Sequence, residues 1–175
     1  MNYREATIED VEQIASLHAQ SWQKHYRGIL QENYLNTQVL EDRRQVWQAR
    51  LQHPAENQYV LVAEENHKIC GLACLYLNHD SVWGSLLDNL DVSSAYKGQG
   101  IGRQLLVSVA AWAYARSPLL PVYLWVYTKN ESARGFYASL GGSHVETQEV
   151  ENPGGGYGEV CRYVWKDVPT LLDRQ

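Results

Sequence analysis

The spacing of hydrophobic and polar positions changes several times along the chain. Asn2 to Ala6 reads as a short strand, and Thr7 with Asp10 three residues on supplies a helix start of the capping-box type, with Asp for the usual Glu. Val11, Ile14, Ala15, Leu17 and His18 recur at helical spacing, which predicts an inward stripe on a helix running to about Trp22. Tyr26-Arg27-Gly28 breaks the pattern. A second helical stretch is predicted from Leu40 to Gln52, with Val46, Ala49 and Arg50 following one another at helical spacing before Pro54 ends it.

From here the period becomes that of strands. Tyr59 to Ala63 and Ile69 to Leu77 flank a turn at Glu65-Asn66-His67 and predict a hairpin, followed by a third strand from Leu86 to Val92. Leu105, Val109 and Trp112, with Leu106, Ala110 and Ala113 beside them, form the seam of a long helix that closes at Ser117-Pro118. Val122 to Tyr127 is a β-branched and aromatic strand. Asn130 then caps a short helix from Glu131 to Leu140, ended by Gly141-Gly142. His144 to Val150 and Glu159 to Trp165 predict a final antiparallel pair around a flexible Asn152-Pro153-Gly154-Gly155-Gly156 segment. The order is strand, two helices, three strands, helix, strand, helix, two strands. It implies an α/β (α+β) chain built on a mixed, mostly antiparallel sheet of about seven strands with helices on both faces.

Length and composition narrow the function. At 175 residues the chain suits one domain, 1–175, large enough to fold without disulfides or a structural metal. Cys70, Cys74 and Cys161 are odd in number and, like the six histidines, lack metal-binding spacing, so they read as buried thiols in a reducing cytosol. The start, Met1-Asn2-Tyr3-Arg4-Glu5, lacks the apolar segment of a secretory signal, and no run approaches the roughly 18 apolar residues of a membrane span. A cytoplasmic location with no membrane partner is expected. The net charge of −5 has the wrong sign for tracking nucleic-acid phosphates.

The candidate chemistry lies between the third strand of that block and the long helix. Gly98, Gly100 and Gly102 let successive backbone N–H groups converge, and the helix start adds unpaired donors and a positive dipole end. By themselves the glycines fit either an anion site or a plain change of chain direction. A Walker loop would need Lys and Ser/Thr after the last Gly, where Arg103 and Gln104 stand, and a dinucleotide fingerprint would sit early in a βαβ unit.

The stretch from Asp91 to Leu106, containing Lys97-Gly98-Gln99-Gly100-Ile101-Gly102, resembles the pyrophosphate loop Arg/Gln-x-x-Gly-x-Gly/Ala of the GCN5-related N-acetyltransferases (GNAT). Leu124 to Gly141, with Asn130 and Phe136-Tyr137-Ala138-Ser139-Leu140-Gly141, is similar to that family's second motif. The likeness is clear over residues 59–142. It departs at Lys97, which keeps the charge without a guanidinium fork, at Ser94 where Pro is frequent, and at Gly142 where Phe is usual.

The resemblance implies the GNAT fold, acetyl-CoA as co-substrate, and transfer of acetyl to an amine. It implies that backbone groups of Leu90, Asp91 and Val92 hold the pantetheine arm and acetyl carbonyl. The loop from Lys97 through Gly98, Gln99, Gly100, Ile101 and Gly102 to Arg103 would hold the pyrophosphate, and Asn130 would contact the cofactor. Tyr137 would protonate the departing thiolate; without the motif it reads as an aromatic packed in the core. Members that act on ribosomal proteins place a Glu where Trp125 stands here, which argues against peptide N-termini. Others place Glu or His at the position of Asp88, so Asp88 is the candidate base, or else a charge at the sheet rim. On an unbroken strand Asp88 shares a face with Leu86 and Leu90, and Asn89 with Asp91. Trp22, Tyr26 and Tyr127 are expected to line an acceptor pocket whose aromatic faces suit a cationic amine; Trp22 equally reads as a cover for the core. His18 and His25 have no evident partner. The leading expectation is an enzyme acting on a small, polyamine-like amine, with aminoglycoside- and amino-acid-type amines left open and a homodimer contact possible through the Gly154 to Gly158 segment and the last strand. The alternatives are a non-catalytic acetyl-CoA sensor and a protein or peptide N-acetyltransferase.

Overall fold

The computed structural model describes residues 1–173. Seven strands, β1 (Asn2–Glu5), β2 (Gln58–Glu65), β3 (Lys68–Asp80), β4 (Gly84–Val92), β5 (Val122–Tyr127), β6 (Ser143–Glu151) and β7 (Tyr157–Trp165), form one sheet in the order β1-β2-β3-β4-β5-β7-β6. Every neighbouring pair is antiparallel except β4 with β5. The helices are α1 (Val11–His25), α2 (Glu32–Thr37), α3 (Val39–Gln52), α4 (Ile101–Arg116), α5 (Glu131–Ser139) and α6 (Val168–Leu172).

Both faces of the sheet centre are covered, and β2 shows how alternation serves them. Leu61 and Ala63 join Leu105, Leu106 and Ala110 of α4 on one side, whereas Val60 and Val62 meet Val11, Ile14 and Leu17 of α1 and Trp47 of α3 on the other. A strand buried on both faces therefore reads as an apolar run. The inward stripe expected for α1 is buried in full. At its start, Asp10 accepts a hydrogen bond from the Thr7 backbone at 2.7 Å and pairs with Arg4 at 2.8 Å.

Several expectations are corrected. The first helix runs on to His25. Two short helices, α2 and α6, appear where none was predicted; they are six and five residues long, too short to show a period. On α3 the buried residues are Val39 and Trp47, while Ala49 faces solvent. Trp47 turns inward because its indole N–H donates to His18 Nδ1 at 2.9 Å. That bond supplies His18 with a partner; burial and the charges of Arg43 and Arg50 hold its pKa well below the usual value. The Asn152–Gly156 segment is a packed turn: Asn152 is 5% exposed and accepts from the Tyr127 hydroxyl at 2.8 Å. Its glycines allow close approach, since a Cβ on Gly154 would lie 2.4 Å from Tyr34.

Gly71 of β3 sets the distance to α4. A Cβ there would lie 2.9 Å from both Ile101 and Leu105. Replacing Gly71 by Val should therefore destabilise the chain by about 1–3 kcal/mol, measured by urea unfolding, because both neighbours sit in a packed core.

Candidate active site

The site begins where two strands part. β4 and β5 pair only at Ser85↔Val122 and Leu86↔Tyr123, after which they diverge. The edge of β4 beyond Leu86 thus has a β3 partner on one side and an open cleft on the other. Orphaned strand N–H and C=O groups need partners, so this edge suits an extended, amide-bearing molecule. The cleft has a volume of about 410 Å³ and is walled by α1, β4, β5, the glycine loop and α5.

A bulge in β4 decides which side chains enter it. Leu87 pairs with Leu75 and Asn89 with Cys74, so Asp88 is the extra residue. Past that point, Leu90 and Val92 turn toward the α4 core. Asp88 and Asn89 both face α3, bonded to Arg50 at 2.8 Å each. The bulge corrects the facing expected for an unbroken strand: Asp88 shares a side with Asn89, and Leu90 lies on the other.

At the cleft's far end the chain turns through Gly98 (φ +77°) and Gly100 (φ +79°), values that L side chains rarely adopt, and enters α4 at Ile101. Nothing lies within 4 Å of the position of a Cβ on either glycine. The open loop, the first N–H groups of α4 and the basic side chains of Lys97 and Arg103 form a cradle for an anion. α1 reaches over it, with Lys24 donating to Ser94 Oγ at 3.0 Å and Lys97 placed 2.9 Å from His25 Nε2. His25 Nδ1 lies 2.8 Å from the Ser21 carbonyl; a proton there leaves Nε2 to accept from Lys97. Burial, then the charges of Lys97 and Lys24, lower the His25 pKa.

α5 closes the cleft. The Asn130 side chain caps it, accepting from the Ala133 backbone at 3.3 Å, and Tyr137 follows two turns later. The Tyr137 ring packs against Tyr163 and Trp165, while its hydroxyl has no hydrogen bond among the described residues and is left to the cleft. Burial, and then the nearby Asp91 charge, raise its pKa, which keeps the phenol protonated.

The comparisons with known proteins bear on the family and the fold. Residues 14–141 match the model of the acetyltransferase (GNAT) family. The chain belongs to that family. It is an acetyl-CoA-dependent N-acetyltransferase by membership. Over 98% of both chains it is 27% identical to an uncharacterized N-acetyltransferase, YuaI, of Bacillus subtilis strain 168. Its fold is similar to that of the PaiA N-acetyltransferase from Thermoplasma acidophilum, solved in complex with coenzyme A, at a TM-score of 0.71 and 20% identity, covering 94% of this chain and 98% of that one. A GCN5-related N-acetyltransferase from Rhodopseudomonas palustris superposes with a TM-score of 0.73 at 20% identity, over 93% of each.

Within this GNAT cleft the structure gathers most of the residues expected from sequence. Asp88, Leu90, Asp91, Val92, Lys97, Gly98, Gly100, Ile101, Gly102, Arg103, Asn130 and Tyr137 line it, with Trp22 and Tyr26 opposite. Gln99 is exposed on the outer side of the loop and does not line the cleft. Tyr127 stands behind the wall, edge-on to Tyr26 at 5.0 Å, so it supports the lining without forming it. Trp22 has a second duty, since the Arg43 guanidinium lies over its ring at 4.3 Å. Ser21 and His25 also line the cleft and were not predicted to, because the end of α1 reaches the site only by tertiary packing; Asn89 joins them from β4. The Gly142 departure is accounted for by Trp165. A Cβ at Gly142 would meet the indole at 2.9 Å, and Trp165 donates to the Leu140 carbonyl at 3.1 Å, so the Trp165 ring leaves no room for a side chain at 142.

Asp91 is the most perturbed carboxylate of the cleft. Burial pushes its pKa up to about 6, only partly offset by Ser21 and Lys97, while Asp88 adds a like charge. A carboxyl raised above its unfolded value binds more protons in the fold, so stability falls as pH rises from about 4 to 6, and the penalty is complete by pH 7. Asp91→Asn should accordingly raise the thermal midpoint at pH 7 by roughly 2–6 °C, with the gain vanishing below about pH 4. Gly100→Ala meets no neighbour but forces a left-handed backbone onto a side chain; a loss of about 1–2 kcal/mol in thermal unfolding is expected, together with weaker acetyl-CoA binding in a titration.

Proposed function

We propose that the chain transfers acetyl from acetyl-CoA to a primary amine of a small, polyamine-like molecule, by direct attack in a ternary complex. The observation that carries this reading is the two-sided cleft. One side offers the free edge of β4 and the glycine cradle; the other offers aromatic rings of α1 with Asp88 and Asp91. Backbone groups of Leu90, Asp91 and Val92 and the loop at Gly98 to Gly102 suit pantetheine and pyrophosphate. The coenzyme A in the Thermoplasma acidophilum neighbour supports that use of the fold.

On the acceptor side, Trp22 and Tyr26 offer aromatic rings to a cationic head, and a carboxylate of β4 supplies the opposite charge. Arg43 and Arg50 flank these groups from α3, which disfavours a second cation placed deep beneath the sheet. The amine reacts after losing a proton to a carboxylate of β4. Its nitrogen then attacks the thioester carbon, whose oxygen is held by β4 backbone N–H groups, and the carbon–sulfur bond breaks as Tyr137 gives its phenolic proton to the sulfur. The second nitrogen proton restores the phenol. The products are an amide, a free thiol and one proton released to solvent. Trp125, in place of the Glu used by members acting on ribosomal proteins, favours a small acceptor over a peptide N-terminus.

Free-thiol release from acetyl-CoA, measured across di- and polyamines, amino acids and peptides, tests the acceptor class. Tyr137→Phe should lower kcat by a factor of about 10 to 10⁴ with acetyl-CoA affinity nearly kept; unchanged turnover removes Tyr137 from the reaction.

A further inference from the structure

The cleft contains two carboxylates on one side of β4, and their surroundings divide the work. Asp88 sits in the bulge, ion-paired at 2.8 Å with Arg50, which also lies over the rings of Trp47 and Tyr76. That guanidinium bonds the neighbouring Asn89 as well, so Asp88 belongs to a lattice tying β4 to α3. A carboxylate already held at 2.8 Å by a guanidinium has its best-placed oxygen engaged, which leaves less for a second cation to gain there.

Asp91 is placed differently. It lines the cleft three residues further on, beyond the point where β5 has departed, and among the described residues it forms no ion pair. The groups around it are Ser21 and Tyr26 from α1, Tyr137 from α5, Lys97 from the loop, and Asp88 from its own strand. Two of these, the phenols, stay neutral, raised by burial first and by the Asp91 charge. Lys97 is engaged with His25 at 2.9 Å. The cleft thus holds a recessed carboxylate that forms no ion pair among the described residues, its nearest cation Lys97 being turned to His25, beside the phenol proposed to protonate the thiolate.

Resting on the proposed acceptor chemistry, we propose that the Asp91 side chain, and not Asp88, binds the acceptor's ammonium and takes its proton. Asp91 Oδ accepts one N–H proton, the freed lone pair forms the bond to the thioester carbon, and the neutral carboxyl then loses its proton to solvent. A carboxyl raised to about 6 suits the role: ionised at pH 7, and far more basic than a surface Asp. Asp88 has a positioning part, adding the like charge that helps to raise Asp91 and anchoring the bulge that aims it.

The test is the pH dependence of kcat/KM for spermidine and 1,4-diaminobutane in the wild-type chain, Asp91→Asn, Asp91→Glu and Asp88→Asn, with acetyl-CoA affinity and spermidine binding to the CoA-loaded protein measured by calorimetry. Expected for the wild type is an acidic limb near pH 6. Asp91→Asn should lose that limb, drop kcat/KM by about 10² to 10⁴, weaken spermidine binding at least about tenfold, and keep acetyl-CoA affinity within about threefold; Asp91→Glu should restore the limb in part. Asp88→Asn should keep the limb but move it to lower pH. The inference is overturned if Asp91→Asn retains the limb and turnover, if the limb is lost in Asp88→Asn instead, or if Asp91→Asn loses acetyl-CoA itself. In those cases an active wild type leaves the proposed amine acetylation standing. A wild type that neither binds nor acetylates any amine overturns both.

Discussion

Two pairs of residues, Ser85 with Val122 and Leu86 with Tyr123, join the halves of the sheet, and the cleft exists because the pairing stops there. A parallel pair of strands continued for its full length would satisfy the inner edge of β4 and leave no room for a ligand. Stopping it exposes backbone groups that must find partners elsewhere. The chain tolerates this because the opposite edge of β4 is secured on β3, and because α4 and α1 clamp the strand from both faces. The bulge at Asp88 adds a second consequence: one extra residue rotates the remainder of the strand, so that Leu90 and Val92 seat in the core while polar side chains enter the cleft.

The electrostatics follow from that geometry. The cradle at Gly98 to Gly102 collects positive potential from the start of α4, Lys97 and Arg103, at the end of the cleft where phosphates would lie. Asp88 and Asp91 of β4 line the same cleft, with Trp22 and Tyr26 of α1. Opposite charges are thereby gathered in different parts of one cavity. The arrangement has a cost in stability, because Asp91 is ionised at neutral pH in a place that disfavours its charge. A destabilised group of this kind is common in ligand clefts, and the large two-sided core offsets it.

α1 links the two functions. Its inward stripe of Val11, Ile14 and Leu17 is core, yet its last turns carry Ser21, Trp22, His25 and Tyr26 over the cleft. The helix is aimed by the buried contact of His18 with Trp47 and by the packing of α3 beneath it. The cleft wall is consequently only as fixed as the α1–α3 pair.

What the sequence alone determined here is local. Periodicity located all seven strands and the four longer helices, since alternation and helical spacing are short-range consequences of which faces are buried. The glycine loop and the Asn130–Gly141 segment carried the family resemblance because backbone conformation and capping are written in neighbouring residues. Asp88, Tyr137 and the loop residues were therefore legible as candidates. Tertiary structure decided the rest. The bulge that turns Asp88 away from Leu90 depends on pairing with β3, which spacing along β4 does not encode. The inward turn of Trp47 depends on His18, twenty-nine positions away. The different situations of Asp88 and Asp91 depend on Arg50 being brought from α3 to one of them and not to the other. Which of two nearby carboxylates a guanidinium pairs with is set by packing between distant segments, and no local pattern records it.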